Sequence, residues 1–481
     1  MKKPYTMKPN RKYIILLAVL SICSHAISQN LNSAYFMEGY AYGHEINPAR
    51  DYTHKSYFSV PLLPGNMNAA TRGNMSLTNF FYKNPNGNGL VTYLHPDISV
   101  EEALKGFHKN NKLLSDYRYD LLSVGFHSMK GFNTISLAVR ANVGATIPYD
   151  LFSLTKNLQN QDYDISTVGA TASSWVELGL GHSHQITPAL RIGGKMKILL
   201  GAAYARLNMK DLSLKLSGED QWIASAHAEI EAGVKGFTWG EPETKEYNNP
   251  QKGTYQQIDF DNIDVDGPGL NGGGVALDMG VEWDLDKNDL VNGVKLSAAL
   301  LDLGFIRWKN VLTAKNNGED FIFEGFDDIK VENGDGTKFE DQADNLGDQL
   351  TDLYSLQDMG AVSKARALGA TMNFGLEYAP LRLLKLGLLS TIRIQGAYGW
   401  HEERMVATLS PCRWFDISGS GSVGSLGGNL GWVINIHPKG FNFFLGSDHC
   451  VGKFSKQGIP LRSNYDISLG FNFPIGKANL D

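Results

Sequence analysis

Taken two residues at a time, the segment KLGLLSTIRIQGAYGW (385–400) separates into Leu386, Leu388, Ile392, Ile394, Tyr398 and Trp400 on one side and Lys385, Gly387, Thr391, Arg393, Gln395 and Gly399 on the other. A period of two marks a β-strand, whose successive side chains point to opposite faces. The division recurs along the chain. Residues 133–147 set Ile135, Leu137, Val139 and Val143 against Ser136, Arg140, Asn142 and Gly144. Residues 189–207 set Leu190, Ile192, Met196, Ile198 and Leu200 against Arg191, Lys195 and Lys197, and 275–285 set Val275, Leu277, Met279, Val281 and Trp283 against Asp278, Gly280, Glu282 and Asp284. Similar segments lie near 55–63, 66–82, 119–130, 173–186, 209–218, 222–236, 292–309, 366–380, 404–418, 422–437, 441–447 and 462–474. Together they predict roughly fourteen to sixteen strands. Tight turns such as Lys130-Gly131, Thr187-Pro188 and Lys439-Gly440 predict consecutive antiparallel hairpins.

The two faces differ in a way a soluble sandwich would not need. The polar face mixes Gly, Ala and Ser with isolated Arg, Lys and Asp, while the other is a band of Leu, Ile and Val. A closed barrel in lipid has this division, apolar outside and small or polar toward the lumen. Closure follows, because hydrocarbon satisfies no backbone hydrogen bonds and an open sheet edge would be stranded there. The expected fold is therefore all-β, a single transmembrane antiparallel β-barrel of about 14 strands with an N-terminal plug segment and a few short helices. Trp283, Trp308, Tyr398, Trp400 and Trp414 lie near strand ends, where an interfacial aromatic girdle is expected. Lumen positions expected to set electrostatic preference along a substrate path are Arg140, Asn142, Lys195, Lys197, Asp278, Glu282, Arg393 and Gln395. For each, a structural salt bridge competes with that role. A secreted soluble all-β binding protein is the rival fold reading.

Several segments break the rhythm. Residues 29–54 precede the first strand and are expected to fold inside as a plug. Residues 99–114 open with Ser99 and Glu102 in capping-box spacing, with Ala103, Leu104 and Phe107 on one helical face. Residues 310–360 are acidic and end in an expected amphipathic helix carrying Phe339, Leu346, Leu350 and Leu353. The expected division is a signal peptide (1–28), a plug or hatch (29–54) and a barrel (55–481) with long loops at 237–272 and 310–360.

Composition places the chain among exported proteins. Lys2, Lys3, Lys8, Arg11 and Lys12 precede an apolar run from Tyr13 to Cys23, and Ala26 and Ser28 stand at minus three and minus one of a cleavage before Gln29. That is the layout of a secretory signal, with an apolar run too short to span a bilayer. A lipoprotein signal cleaved before Cys23 would want a small residue where Ile22 stands. Removing the five basic residues takes the formal charge from -6 to -11, an acidic balance that argues against nucleic acid as a partner, and none is expected. Only Cys412 and Cys450 then remain, and whether they pair is left open.

Catalytic and ligand patterns have blander explanations. Gly419, Gly421 and Gly424 satisfy G-x-G-x-x-G but sit among strands, with no helix following to meet a phosphate. His182 and His184 share a strand face without a third ligand at readable spacing. Residues 259–267, DFDNIDVDG, lack the spacing and the closing Glu of an EF-hand loop, so a solvated acidic loop is the default there, with a weak calcium site left as the alternative, as it is at Asn333, Asp335 and the surrounding acids. No metal, cofactor or enzymatic activity is expected.

The stretches SAYFMEGYAYGHEINPA (33–49), YFSVPLL (57–63), YLHPDIS (93–99), LRIGGKMKILLG (190–201), LSAALLDLGFIRWK (296–309) and GFNFFLGSD (440–448) resemble a group of Bacteroidota outer-membrane barrels described only as a domain of unknown function. More distantly, Asn47, Pro48 and Ala49 and the small-residue lumen resemble FadL-type fatty-acid channels and their PorV-like relatives. The resemblance implies a Gram-negative cell outer membrane, a plug motif at Asn47-Pro48-Ala49, and porin-like passive uptake of a small hydrophobic molecule. The alternative it implies is a non-transporting barrel that anchors or docks secreted proteins. The lipid bilayer and the barrel-assembly machinery are the other expected partners. The last strand (Tyr465, Ile467, Leu469, Phe471, Phe473) resembles the signal read by that machinery, although residues 474–481 follow it.

Overall fold

A computed structural model describes residues 31–476 except 61–62, 64, 88, 217–221, 247–252, 289–290, 317–320, 324–355 and 451–463. Its main sheet closes into a barrel of 14 antiparallel strands. The first, β1, is Ser56–Phe58 followed, after a detour, by Met67–Gly73. Then come β2 (Asn110–Ser128), β3 (Gly131–Pro148), β4 (Gly169–Gln185) and β5 (Leu190–Lys215). β6 is Trp222–Ala232 resumed at Gly272–Asp284, β7 is Val294–Lys315, and β8 is Gln357–Ala367 continued as Ala370–Leu381. β9 (Leu384–Ile394), β10 (Trp400–Cys412), β11 (Phe415–Gly424), β12 (Gly427–Ile436), β13 (Asn442–Ser447) and β14 (Tyr465–Ile475) complete the wall. Closure joins β14 to β1, with Phe473 opposite Phe58 and Leu469 opposite Met67.

At one end the turns are short. Met129 and Lys130, at φ 54° and 56°, link β2 to β3 in a two-residue hairpin whose positive φ angles match the strand twist. Arg382-Leu383 and Arg413-Trp414 make the turns from β8 to β9 and from β10 to β11. The long connections leave from the other end. The short-turn end is the lower end of the barrel and the end with the long connections the upper.

The outer surface is apolar from end to end of the belt. Leu277, Leu386 and Ile392 are 41%, 43% and 37% exposed, and Leu180, Ile198, Leu303, Phe374 and Leu388 face outward with them. Arg393 and Asp278, their chain neighbours of opposite parity, are buried inside. Along β7 the outward apolar positions run from Leu296 to Phe305, and Arg307 and Lys309 follow, exposed. At ~3.3 Å per residue and a tilt of about 40°, that band is roughly 23 Å tall. Barrels in lipid carry an apolar band of about 25 Å, whereas a soluble monomer seldom exposes so continuous a surface.

The structure corrects several sequence expectations. The segment 385–400 is not one strand: β9 ends at Ile394, a 3-10 turn at Gly396–Tyr398 reverses the chain, and Trp400 opens β10. Only Trp283 and Trp414 stand exposed as girdle residues; Trp308 and Trp400 are buried inside the wall, and the Tyr398 ring lies over Gly144 of β3. Residues 209–218 do not form a separate strand, because β5 continues to Lys215. The helix expected at 99–114 is limited to Val100–Leu104, where the Ser99 hydroxyl accepts from the Glu102 amide, since the chain enters β2 at Asn110. Residues 237–272, expected as a loop, carry a hairpin of Phe237–Glu246 with Thr254–Val265. The expected helix with Phe339, Leu346, Leu350 and Leu353 lies outside the described residues.

Candidate functional site: a plugged, ion-paired lumen

Residues 31–50 thread the lumen, and Glu38 is the one exposed residue among them. Two 3-10 turns, Asn32–Ala34 and Gly43–Glu45, compact the segment. Its lower part is an aromatic cluster: Tyr35, Phe36, Tyr40, Tyr42 and Tyr52 pack with Tyr57, Phe132 and Phe444 of the wall. The rings meet edge to face, Tyr40 to Phe444 at 4.9 Å and Tyr42 to Tyr57 at 5.7 Å, the arrangement aromatic quadrupoles favour.

Polar contacts fix the plug at four further points. At its start, Asp448 accepts the Asn32 and Ser33 amides, both at 2.7 Å, and is flanked by the fully buried Arg404. At Asn47-Pro48-Ala49 the Asn47 side-chain Oδ1 accepts the Ala49 amide at 2.9 Å, and its Nδ2 donates to Val281 O at 3.3 Å. The wall behind is bare because Gly193 and Gly280 are register partners. A Cβ at Gly280 would collide with Asn47, and one at Gly193 with the Pro48 carbonyl. At its exit Asp51 is held by Arg191 at 2.6 Å and His127 at 2.8 Å.

The fourth anchor is Glu45, which belongs to the charged centre of the lumen. It accepts from Lys195 at 2.6 Å and Arg118 at 3.0 Å. Arg118 also meets Asp120 and Glu177, and Glu177 passes the chain of charges to Arg140 at 2.9 Å. Arg140 grips Asp302 with both terminal nitrogens, and Lys197 sits 2.6 Å from both Asp302 and Asp278. Burial alone would raise the Glu45 carboxyl, but Arg118 and Lys195 outweigh it and hold Glu45 well below the usual carboxylate range. Burial pushes the neighbouring His44 imidazole down to about 3, so at neutral pH it is uncharged and bonds to the Tyr57 hydroxyl at 2.7 Å. Its 3.5 Å approach to Glu45 is then no ion pair.

Small spaces are left among the described residues. Above the plug lies a polar cavity of about 40 Å³, bordered by Asn32, Asp116, Arg140, Asn142, Asn373 and Arg393. Beside the plug, on the β3–β4–β5 side, a crevice of about 10 Å³, no more than a single water site, is bordered by His44, Phe132, Thr134, Gly181, His182 and Lys195. Higher up, Trp175, Leu199, Tyr204, Ile306, Trp308 and Val311 form an inward apolar cluster where β6 is interrupted between Ala232 and Gly272.

The eight lumen positions read from the alternation face inward but play unequal parts. Arg140, Lys195, Lys197 and Asp278 are joined in the central network, and Asn142 bonds to Asp116 beside it. Arg393 bonds to Thr371 at 2.8 Å and Gln395 at 3.3 Å and reaches Asp302 only at 3.8 Å. Glu282 lies lower, 3.8 Å from Arg50 of the plug. The alternation did not bring out Asp302, because simple parity from Leu296 and Leu300 puts it on the lipid face. A bulge in β7, where Leu301 and Asp302 together lie opposite Asp278 of β6, turns it inward, with Asp302 at φ 59°. The signal was present as a phase slip between Leu300 and Leu303. Arg118, Asp120 and Glu177 are buried between less buried neighbours such as Tyr117, Tyr119 and Leu178, so their parity marks them as inward, while the inward turn of Asp448 after the short β13 leaves no local trace. Cys412 and Cys450 are both exposed free thiols.

Fold and lumen together define a class: a lipid-facing antiparallel barrel of 14 strands whose lumen is filled by its own N-terminal segment. The chain belongs to DUF5723, a family of unknown function, which it matches over residues 48–448. No curated protein matches it. Among solved structures it is similar to the Ralstonia pickettii toluene transporter TbuX, at 7% identity over 94% of this chain and 99% of that one, with a TM-score of 0.42. It is also similar to the Pseudomonas putida toluene transporter TodX (8% identity, 89% and 92% covered, TM-score 0.39) and to a Pseudomonas aeruginosa FadL homologue (10%, 93% and 98%, 0.40).

Proposed function

We propose that the protein is a passive channel of the outer membrane for a small molecule, held closed by its N-terminal plug. The observation that carries this reading is the polar cavity above the plug, which the charged and amide side chains of Asp116, Arg140, Asn142, Asn373 and Arg393 line inside the barrel. Purified protein in liposomes is expected to give solute-dependent swelling or to bind a test solute; neither flux nor binding, with the barrel folded, sinks the reading.

A hydrophobic cargo is a second reading, favoured by the apolar cluster of Trp175, Leu199, Ile306 and Trp308 beside the interruption of β6. Toluene uptake that falls on Trp308→Ser would support it. Docking of a secreted protein is the remaining alternative, and a stoichiometric partner cross-linked to the barrel in cells, without solute flux, would favour it.

A further inference from the structure

Among the described residues, the outward face of the apolar belt carries one carboxylate, and it stands on β10. The outward positions of that strand are His401, Glu403, Met405, Ala407 and Leu409, all exposed. Glu403 is the register partner of Ser390 on β9, whose hydroxyl donates to its Oε1 at 2.7 Å. The outward row of β9 holds Leu386 and Leu388 below Ser390 and Ile392 and Ile394 above it, so the carboxylate lies within the belt and not at its rim. One hydroxyl leaves most of its acceptor capacity unmet. Hydrocarbon supplies no donor, and ionisable groups at membrane depth face protein or water because bare exposure to lipid is costly.

The surface around Glu403 is uneven. Met405, 71% exposed, projects as a knob. Beside it the outward positions of β11 are Gly419 and Gly421, the register partners of Ala407 and Met405. A Cβ at Gly419 would meet nothing within 4 Å, and one at Gly421 only the Leu430 side chain at 3.6 Å. Together with Ala407 they leave a dent in the belt, with Val423 and Leu430 exposed on its rim. Small residues let two surfaces approach closely in lipid.

We infer that this face is a contact between two copies of the chain, related by a two-fold axis along the membrane normal that passes between β10 and β11. One patch holds both a knob and a dent, the self-complementarity that a two-fold contact requires, since whatever one copy offers the other must receive. Met405 of each copy fills the Gly419 and Gly421 dent of the other. Glu403 meets His401 of the partner subunit, a residue exposed on the same face one outward position higher, and the pair forms twice. Acyl chains would cover the apolar part of the patch equally well but offer the carboxylate nothing. The contact lies outside the lumen and is independent of what the channel carries.

The test uses the full-length protein in intact membranes and in mild detergent, with heat-modifiable gel mobility as the check that each barrel is folded. The unmodified protein is expected to be a dimer by native mass spectrometry and light scattering. In a Cys412→Ser, Cys450→Ser background, a short bismaleimide is expected to join Met405→Cys in pairs within the membrane. Leu178→Cys, exposed on β4 at the opposite wall, is expected to stay unpaired. Gly421→Leu fills the dent without touching the lumen, and Glu403→Leu removes the charge from the belt. Each is expected to raise the dimer dissociation constant at least tenfold. A folded protein that is monomeric in both settings overturns the contact. So does a monomer that retains a lipid or a divalent cation and loses it on Glu403→Leu, which would give the carboxylate to a headgroup instead. Pairing through Leu178→Cys in preference to Met405→Cys overturns this choice of face. Dimerisation that survives Glu403→Leu but not Gly421→Leu overturns the part assigned to the carboxylate.

Discussion

The lower and middle storeys of the lumen close the same tube by different means. Below, Tyr40, Tyr42, Tyr52, Tyr57, Phe132 and Phe444 fill the bore with rings, and most of what they contribute is area removed from water. In the middle, Glu45, Arg118, Lys195, Glu177, Arg140, Asp302 and Lys197 fill it with charges, each stable only because the next is in contact. An aromatic floor tolerates small displacements, since dispersion and burial are weakly directional. An ionic storey does not, because a desolvated charge that loses its partner keeps its desolvation penalty. The plug is thus held broadly below and in strict register at Glu45, and the two should answer differently to single changes.

The largest expected effect is at Glu45. Glu45→Ala removes the carboxylate that Arg118 and Lys195 share, leaving buried positive charge, and should weaken plug docking by about 3–5 kcal/mol. Protection of the plug amides from hydrogen exchange measures this. Unchanged protection in residues 31–50 would mean the ionic storey does not hold the plug.

Next is a change on the other side of the wall. Leu277→Arg puts a charge on the lipid face beside the buried Asp278 and should cost about 2–4 kcal/mol if the site lies near the middle of the bilayer. Urea unfolding in lipid vesicles reads it. A cost near zero would place Leu277 at the membrane edge or in water, and the inside-out assignment of the faces would fail with it.

The third expectation concerns pH and separates the storeys again. His44 is neutral in the docked plug, with a pKa pushed from 6.5 to about 3, so release of the plug allows it to take up a proton. A group whose pKa is depressed by docking contributes fully above its free value and less as the pH falls from about 6.5 toward 3. Between pH 7 and pH 5 the docking energy should drop by about 2 kcal/mol. Glu45 adds little in that window, because its contribution is lost only below the ordinary carboxylate range. His44→Asn should flatten the dependence, and a slope that survives this change would assign it to another group.

How much of this was legible follows from which interactions are local. The closed barrel could be read from Leu386 and Arg393, because pleat parity converts a sequence period directly into a face. Strand ends were harder: Tyr398 and Trp400 continue the alternation of β9 numerically although a turn separates them from it. Asp302 fell to a bulge, which reverses parity without any residue that announces it, and only the displaced rhythm of Leu303 and Phe305 records the slip. The Asp448 anchor and the Lys195–Glu45 pair join residues 416 and 150 positions apart, contacts set by barrel closure and plug path. Period-two reasoning assigns such residues to the lumen and leaves their partners unnamed.

The smallest expected effect lies in the aromatic storey and tests whether it is as forgiving as its chemistry implies. Tyr42 is fully buried, and its hydroxyl reaches only the Phe471 carbonyl, at 3.5 Å, the outer limit for a hydrogen bond. Tyr42→Phe keeps the ring contacts with Tyr40, Tyr57 and Phe444 and removes only that contact, so docking should change by less than about 0.5 kcal/mol against about 1 for an ordinary hydrogen bond. Exchange protection equal to that of the unmodified protein is the expected result. A loss comparable to that of Glu45→Ala would mean the floor, too, depends on one directional bond, and the contrast between the storeys would disappear.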